Sequence, residues 1–272
     1  SCTVSRNGDL VSNCLLEVEL PALTGANGGN GVKWVGNVGE RLIEEVEVEI
    51  GGQRIDKHNY TWMNVWNQLS MPHGKVAGYD KMIGADVAGV AADETIAAQK
   101  LYIPLVFWFN RNPGLALPLI ALQYHEVKLN VTFASFRHLV TKQDHTAGAA
   151  VAADVADASL SNAALYVDYI YLDTDERRRF AQVSHEYLIE QLQKQSADDS
   201  KSVKLNFNHP VKELVWTSAA TNAYGTAQLK LNGHDRFSAQ EEEYFQIRQP
   251  FDYHTAVPKQ NLPTAAQLTT LD

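Results

Sequence analysis

Three carboxylates alternate with apolar residues along one segment of the chain. Glu45, Glu47 and Glu49 point to one side of a strand that the pattern predicts over 42–50, because side chains alternate faces along a strand. Successive carboxylates on one face lie about 6.5–7 Å apart, a separation that suits the acid and base of an inverting glycosidase. The pattern is equally typical of a solvated acidic strand face, and nothing else nearby indicates a sugar cleft.

The histidines do not have the spacing of a metal site or of an acid–base site. The signatures HxH, HExxH, CxxC and GxSxG are missing from the sequence, as are the phosphate-binding glycine motifs. The pairs His125-Glu126 and His185-Glu186 are adjacent, so on a strand their side chains point to opposite faces. We therefore predict no catalytic residue, no metal site, no cofactor and no enzymatic activity.

Two sequons of the form N-x-T occur, Asn59-Tyr60-Thr61 and Asn130-Val131-Thr132. Such a sequon is the acceptor signal for N-linked glycans, so Asn59 and Asn130 are candidate glycosylation sites. The strand alternation predicts an outward side chain for Asn130. Chance sequons are common, and both asparagines can equally be unmodified.

Large aromatic side chains are the candidates for a contact surface. Tryptophan is enriched at the buried centres of subunit interfaces, which makes Trp62, Trp66 and Trp108 candidate subunit-contact residues. Each of them can instead fill the core of its own domain.

Charge and cysteine content narrow the function classes. The net charge is -9, with 23 basic and 32 acidic residues. An acidic chain gains no counterion-release energy on a phosphate backbone, so we predict no direct binding to nucleic acid. The chain has 2 cysteines, Cys2 and Cys14, too few for a disulfide-stapled scaffold. We expect free thiols, with a Cys2–Cys14 bridge as the alternative.

Neither a signal peptide nor a membrane span is predicted. The first ten residues are polar, without an apolar h-region. The longest apolar stretch, 103–122, has Asn110, Arg111 and Asn112 at its centre and contains three prolines, which a membrane helix does not tolerate. We predict a strand, a turn and a second strand here.

The remaining patterns predict short strands joined by turns and long loops. A helix is expected at 60–69, where apolar residues have helical spacing, and a charged helical connector at 173–182. Residues 71–99 and 136–162 are expected to be long loops, the first because of its glycines. Strands are predicted at 14–20, 42–50, 101–109, 125–133, 165–172, 187–193, 203–207, 211–217 and 227–231, with 101–109 covered on both faces. This organisation predicts an all-β sandwich.

Two weak internal matches suggest a tandem repeat. Residues 48–53 (VEIGGQ) resemble 229–234 (LKLNGH), and residues 14–17 (CLLE) resemble 187–190 (YLIE), at nearly the same separation along the chain. In the first match a strand leads into a two-residue turn. Repetition at a constant offset is typical of duplicated units.

Several longer segments resemble the major capsid proteins of large icosahedral eukaryotic DNA viruses, of the chlorella virus and iridovirus type. The resemblance runs from about residue 4 to residue 251. The 17-residue string 112–128 carries most of it, because it is far more specific than a short motif. The strings are VEIGGQRIDKH at 48–58, IPLVFWF at 103–109, NPGLALPLIALQYHEVK at 112–128, VDYIYLDTDERRRFAQ at 167–182, HEYLIEQLQ at 185–193, LNFNHP at 205–210 and LNGHDRF at 231–237.

The resemblance implies a double jelly roll, that is, two tandem jelly-roll β-sandwiches in one all-β chain. We expect a first jelly roll at 1–173, a linker helix at 174–182 and a partial second jelly roll at 183–272. Members of this family have further residues before the position of Ser1 and further strands at the end of the second jelly roll. We therefore expect an internal start and an incomplete second sandwich.

The resemblance also implies a function and partners. Three copies are expected to form a pseudo-hexagonal capsomer, and capsomers tile an icosahedral shell assembled in the host cytoplasm. The implied partners are the chain itself, neighbouring capsomers and minor capsid proteins, close to an internal membrane without insertion. The competing hypothesis is a carbohydrate-binding or glycoside-cleaving sandwich that uses Glu47 and Trp108.

Overall fold

The computed structural model describes residues 1–24, 31–85, 87, 94–142, 157–197, 201–217 and 224–258. The glycine-rich segment 25–30 and parts of the two predicted long loops, at 86, 88–93 and 143–156, lie outside these ranges. The strands are β1 Cys2–Thr3, β2 Leu10–Leu20, β3 Leu23–Thr24, β4 Val32–Trp34, β5 Ile43–Ile50, β6 Gln53–Asn59, β7 Thr95–Ile96, β8 Gln99–Pro104, β9 Leu117–Pro118, β10 Val127–Phe133, β11 Val140–Lys142, β12 Asn162–Ile170, β13 Thr226–Ala227, β14 Lys230–Leu231, β15 His234–Asp235 and β16 Gln240–Glu241.

Short helices lie between the strands. The α-helices are α1 Val38–Leu42, α2 Tyr60–Ser70, α3 His73–Ile83, α4 Trp108–Arg111, α5 Phe136–Leu139, α6 Thr174–Gln182 and α7 Gln249–Tyr253. A 3₁₀ turn spans Pro113–Leu115 and a π-helix spans Tyr244–Arg248. The helix predicted at 60–69 and the connector helix predicted at 173–182 are therefore both confirmed.

The chain divides into two compact units. The first consists of Ser1–Asn64 and Val76–Leu192, and the second of Val65–Lys75 and Gln193–Asp272. The first unit contains two four-stranded antiparallel assemblies. One sheet has the order β1-β10-β5-β6, and the other has the order β12-β2-β8 with β9 also paired to β2.

Each of these sheets buries one face. On β5, Val46 and Val48 are buried while the intervening glutamates are partly exposed, which is the alternation predicted from the sequence. The core of the first unit combines side chains from both sheets and from the connecting segments, including Leu16, Val18, Met63, Leu101, Ile103, Phe107 and Leu129.

Asp173 begins the connector helix α6 with a reciprocal capping arrangement. Its Oδ1 accepts hydrogen bonds from the backbone N–H groups of Asp175 at 3.0 Å and of Glu176 at 2.8 Å. Glu176 Oε2 accepts in return from the backbone N–H of Asp173 at 3.4 Å. This capping box satisfies N–H groups that have no partner inside the helix, which explains why the helix begins where it does.

The second unit has little buried apolar material in its described residues. Leu69 is its one large aliphatic side chain in the buried core, whereas Val203, Leu205, Val211 and Leu231 are each more than 40% exposed. A cluster of rings packs together in this unit, formed by Trp216, Tyr224, Phe237, Tyr244 and Phe245.

Two expectations for the first unit are wrong. The expected loop at 71–99 contains helix α3. Tyr79 anchors this helix by donating a hydrogen bond to buried Glu40 at 2.7 Å. The two glycines within the helix, Gly74 and Gly78, face open space. The strand expected at 101–109 ends at Pro104, which has no N–H for the ladder. Its remaining residues are buried, but 105–107 are irregular and 108–109 begin α4, where Asn110 Oδ1 accepts from the backbone N–H of Phe107 at 3.1 Å.

The observed bounds of three further elements differ from the predicted ones. The strand expected at 125–133 begins at Val127, and His125 lies in the preceding turn. The expected loop at 136–162 opens with α5 and with β11, which pairs with β4. The strand expected at 165–172 is confirmed and begins earlier, at Asn162.

The strands predicted at 187–193, 203–207 and 211–217 are absent from these described residues, and 227–231 contains only the short β13 and β14. Side-chain amides bridge two of these segments in place of a backbone ladder. Gln195 Nε2 donates to the carbonyl of Lys204 at 2.7 Å, and Gln193 Oε1 accepts from Asn208 N–H at 3.0 Å. Alternation specifies an extended backbone, but a strand also needs a paired neighbour.

Candidate functional site

The acidic row on β5 is a charge-paired sheet surface. Glu45 Oε1 lies 2.8 Å from Lys57 Nζ, and Glu47 Oε1 lies 3.3 Å from Arg54 NH1, with both cations on the neighbouring strand β6. Asn130 Nδ2, from β10 on the other side, donates to Glu49 at 3.3 Å. The carboxylates therefore pair across strands, and this arrangement stabilises a sheet instead of leaving a free acid and base for catalysis.

The two sequon asparagines lie on strands that flank β5. Asn59 pairs with Glu45 in the β5–β6 register, and Asn130 pairs with Glu47 in the β10–β5 register. The amide oxygen of Asn59 accepts from the backbone N–H of Trp62 at 2.9 Å. Asn59 therefore caps α2, whereas Asn130 has a longer side-chain hydrogen bond on the sheet surface.

The three candidate contact tryptophans have different environments. Trp62 and Trp66 lie on α2 and are partly exposed. Trp108 is 2% exposed and packs edge-on against Phe109, with ring centroids 5.1 Å apart. The expectation that Trp108 forms a subunit contact is therefore corrected: its indole fills the core of the first unit.

The histidine pairs do not converge on a site. His125 is exposed in a turn, and His185 stacks on Phe180 at 4.7 Å between ring centroids. Among the residues that the structure describes, no cluster of three or more His, Cys, Asp or Glu side chains could hold a metal ion. Cys2 and Cys14 are both free thiols, so the alternative of a disulfide between them is wrong.

A buried polar pair in β6 was missed by the sequence reasoning. The side chains of Asp56 and His58 are each 1% exposed, and Asp56 Oδ2 lies 2.9 Å from His58 Nε2. The imidazole also stacks on Phe107, with ring centroids 4.5 Å apart. Alternation along β6 places both residues on one face, but the apolar residue of this strand, Ile55, lies on the other face, so the sequence pattern gave no signal that the pair is buried.

One cavity of about 520 Å³ lies in the first unit. Its lining is mostly apolar, and an edge-to-face contact between Trp34 and Phe136 at 6.0 Å forms part of the wall. Trp34 is buried and Phe136 is partly exposed, and the lining lacks a cluster of ionisable groups that could perform chemistry. The lining residues are Leu20, Pro21, Trp34, Leu42, Phe133, Ala134, Phe136, Leu139, Ala158, Ser159, Leu160, Ser161, Asn162 and Ala163.

Helices across the described ranges are short. None of these helices has the length and apolar character needed to cross a membrane. The apolar stretch at 103–122 forms the end of β8, helix α4, a 3₁₀ turn, the short strand β9 and further turns.

Two antiparallel sheets, one of them with a charge-paired outer face, define a β-sandwich protein. A family described as "Major capsid protein N-terminus" matches residues 1–173, and one described as "Large eukaryotic DNA virus major capsid protein" matches residues 176–226. The chain belongs to the major capsid protein family of large eukaryotic DNA viruses. Because this family consists of structural capsid proteins, the chain's membership in it confirms the prediction that the chain is not an enzyme.

Individual relatives agree with this assignment. The chain is 49% identical to the major capsid protein of Pyramimonas orientalis virus over 269 residues, which cover 95% of this chain and 63% of that protein. It is 38% identical to the major capsid protein of Paramecium bursaria Chlorella virus 1, covering 92% of this chain and 65% of the relative. The chain thus spans less than two thirds of the length of these curated relatives.

Solved structures support the fold. The crystal structure of PBCV-1 VP54, fitted into a reconstruction of the virophage Sputnik, matches with a TM-score of 0.71 at 34% identity. The match covers 94% of this chain and 70% of that chain. The predicted fold class, all-β with two tandem jelly rolls, is confirmed by this likeness. A Faustovirus major capsid protein matches at 14% identity with a TM-score of 0.51, which supports the fold alone.

Proposed function

We propose that this chain is a structural part of a virus shell, in which three copies of the complete protein form a pseudo-hexagonal capsomer and capsomers tile an icosahedral capsid. The family match over residues 1–173 is the observation that carries the proposal. The likeness to a capsid protein of known structure, at a TM-score of 0.71, supports it. β-Sandwiches suit this function because their paired sheets are rigid and densely packed.

The proposal also includes the division of the chain into domains. We propose a first jelly roll at 1–173, a linker helix at 174–182 and part of a second jelly roll at 183–272, of which residues 183–192 belong to the first compact unit. The end of one family match at residue 173 and the start of the other at residue 176 support this division. The capped helix Thr174–Gln182 coincides with the proposed linker.

Self-association needs an exposed contact surface, and helix α2 supplies two candidates. Trp62 and Trp66 are spaced one helical turn apart and are both partly exposed. We propose that they contribute to contacts between copies, since partly exposed tryptophans gain further apolar burial in an interface. Trp108 is left out because it is already buried.

The proposed location is the virion capsid, after assembly in the host cytoplasm. The proposed partners are copies of the same protein, neighbouring capsomers and minor capsid proteins, close to an internal membrane without insertion. A net charge of -9 argues against direct contact with nucleic acid, because like charges repel a phosphate backbone. Of the two sequons, we propose Asn130 for any glycan, because Asn59 is engaged as a helix cap.

Light scattering on the complete protein that contains this chain tests the proposal. We expect a mass three times that of one protomer at micromolar concentration, and pseudo-hexagonal capsomers in images of the particle. A protein that stays monomeric under these conditions would contradict the proposal.

The competing carbohydrate-binding or glycoside-cleaving function finds no support in the geometry. Glu47 pairs with Arg54 on an open sheet surface, and Trp108 is buried. A saccharide titration that gave saturable binding lost on Glu47→Gln would restore this hypothesis.

A further inference from the structure

We infer that residues 183–192, which follow the connector helix, form a strap fastened to the first unit. The sequence predicted a strand of the second sandwich over most of this segment. In the structure these residues form no strand and belong to the first unit, which extends to Leu192.

Three consecutive residues of the strap contact the body of the first unit. Glu190 Oε2 pairs with Arg111 NH1 at 2.9 Å, and Arg111 Nε also donates to the carbonyl of Val106 at 2.8 Å. Gln191 Nε2 donates to the carbonyl of Ile55 at 2.6 Å. The backbone N–H of Leu192 donates to Asp56 Oδ1 at 3.0 Å. Contacts through successive residues fix a backbone far better than one surface ion pair.

The carboxylate that receives Leu192 is itself held in place. Asp56 Oδ1 also accepts from the backbone N–H of Lys57 at 2.8 Å, and its Oδ2 lies 2.9 Å from His58 Nε2. The stack of His58 on Phe107 fixes the imidazole from its other side. Asp56 is thus a positioning residue: its Oδ1 accepts from the strap and from its own strand inside a solvent-excluded site, whereas its Oδ2 lies next to His58 without a hydrogen bond.

The segment before the strap is also fastened to the first unit. Asp9 Oδ2 accepts from the backbone N–H of Leu172 at 2.8 Å and from Arg177 Nε at 2.9 Å. His185 then folds back on the helix, with its Nε2 3.1 Å from the carbonyl of Phe180. The chain is therefore fastened to the first unit just before helix α6, through Leu172, and within the helix, through Arg177.

The strap adds to the proposed shell function and does not depend on it, because the contacts that hold the strap lie within the first unit. Amide hydrogen exchange on this chain, resolved at Leu192, tests the strap itself. Asp56→Ala removes the acceptor, and we expect Leu192 to exchange roughly ten- to hundredfold faster. Glu190→Ala, which leaves the buried pair intact, should accelerate exchange at Gln191 and Leu192 by a smaller factor.

Lys57→Ala is the matched control, because Lys57 lies on the same strand but pairs with Glu45 on the opposite face. It should leave Leu192 unchanged. The strap would be contradicted if the amide of Leu192 exchanged rapidly in the unmodified chain. It would also be contradicted if Lys57→Ala and Asp56→Ala accelerated that exchange equally. The readout does not involve assembly, so a failed trimer test and a failed strap test are distinguishable.

Discussion

Gly52 and Gly233 adopt the same left-handed backbone, with φ of 82° at both, although they are 181 positions apart in the chain (233 minus 52). Each is the second residue of a two-residue hairpin turn, between Ile50 and Gln53 in one case and Leu231 and His234 in the other. The preceding residues, Gly51 at 59° and Asn232 at 51°, are also left-handed. Positive φ at both central positions is the geometry of a type I′ turn, so the sequence match predicted a local structure that occurs twice.

The two glycines of the first turn should respond differently to alanine. A Cβ on Gly51 would lie 2.5 Å from His125 Nδ1, whereas a Cβ on Gly52 would meet no atom within 4 Å. We expect Gly52→Ala to lower the free energy of unfolding by about 1–2 kcal/mol, the cost of a left-handed backbone, and Gly51→Ala to lower it further. Urea unfolding measures both. Gly78→Ala, in the open interior of helix α3, is the control and should be stabilising; a larger loss for Gly52→Ala than for Gly51→Ala would contradict the clash.

Acid should loosen the start of the connector helix. Burial alone would raise the pKa of Asp9, but hydrogen bonds from Leu172 and Arg177, together with the charge of Arg177, hold that pKa below its ordinary value. A carboxyl whose pKa is lowered on folding stabilises the protein above its unfolded pKa of about 3.9, and this contribution is lost as the pH falls through the folded value. The protection of the amides of Thr174–Gln182 against hydrogen exchange, measured relative to their intrinsic exchange rates, should therefore fall below about pH 4. In Asp9→Asn the acid-dependent step should disappear; its persistence would assign the step to another group.

The two thiols should react at very different rates. Burial raises the pKa of Cys14 to about 12, so the reactive thiolate is scarce at pH 8 and the sulfur is also inaccessible. Cys2 is exposed. A thiol reagent at pH 8 should label one cysteine per native chain and two in denaturant, as counted by mass spectrometry. Cys2→Ser should abolish labelling of the native chain, and rapid labelling of that variant would show that Cys14 is accessible.

Tryptophan substitutions should separate folding from assembly. Trp108→Ala should lower the free energy of unfolding by about 3–5 kcal/mol, because it leaves a cavity in the core. Trp66→Ala should have a smaller effect on folding, measured by urea unfolding, and should weaken the trimer of the complete protein, measured by light scattering. A trimer unaffected by both Trp62→Ala and Trp66→Ala would remove helix α2 from the contact.

The two sequons should differ in stability effect and in modification. Asn59→Ala removes the cap of helix α2 and should lower the free energy of unfolding by about 1 kcal/mol. Asn130→Ala should cost less, since its hydrogen bond to Glu49 lies on the sheet surface. Peptide mass spectrometry of protein from the host should find any glycan on Asn130 and none on Asn59. A glycan on Asn59 would show that the cap is not formed when the modification occurs.

Local patterns were sufficient for the elements whose conformation depends on their own residues. Alternation of valine and glutamate predicted β5, the Gly51-Gly52 pair predicted its turn, and the acidic start of the connector predicted helix α6. Each signal reports a preference that neighbouring residues impose directly, through side-chain periodicity or through positive φ. The long string at 112–128 added family membership, which no periodicity could provide.

Partners distant in sequence decided the rest. Glu40 anchors the glycine-containing helix α3 through Tyr79, 39 positions away, and Asp56 receives the backbone of Leu192 across 136 positions. A pattern along the chain cannot encode such pairs, because it specifies which face a side chain occupies and not what lies opposite. The sequence by itself thus determined the strand faces, the turns and the family. Only the tertiary structure decided that Trp108 lies in the core, that Asp56 and His58 form a buried pair and that 183–192 lies against the first unit. The reason is that burial and long-range hydrogen bonding arise only once the chain has folded.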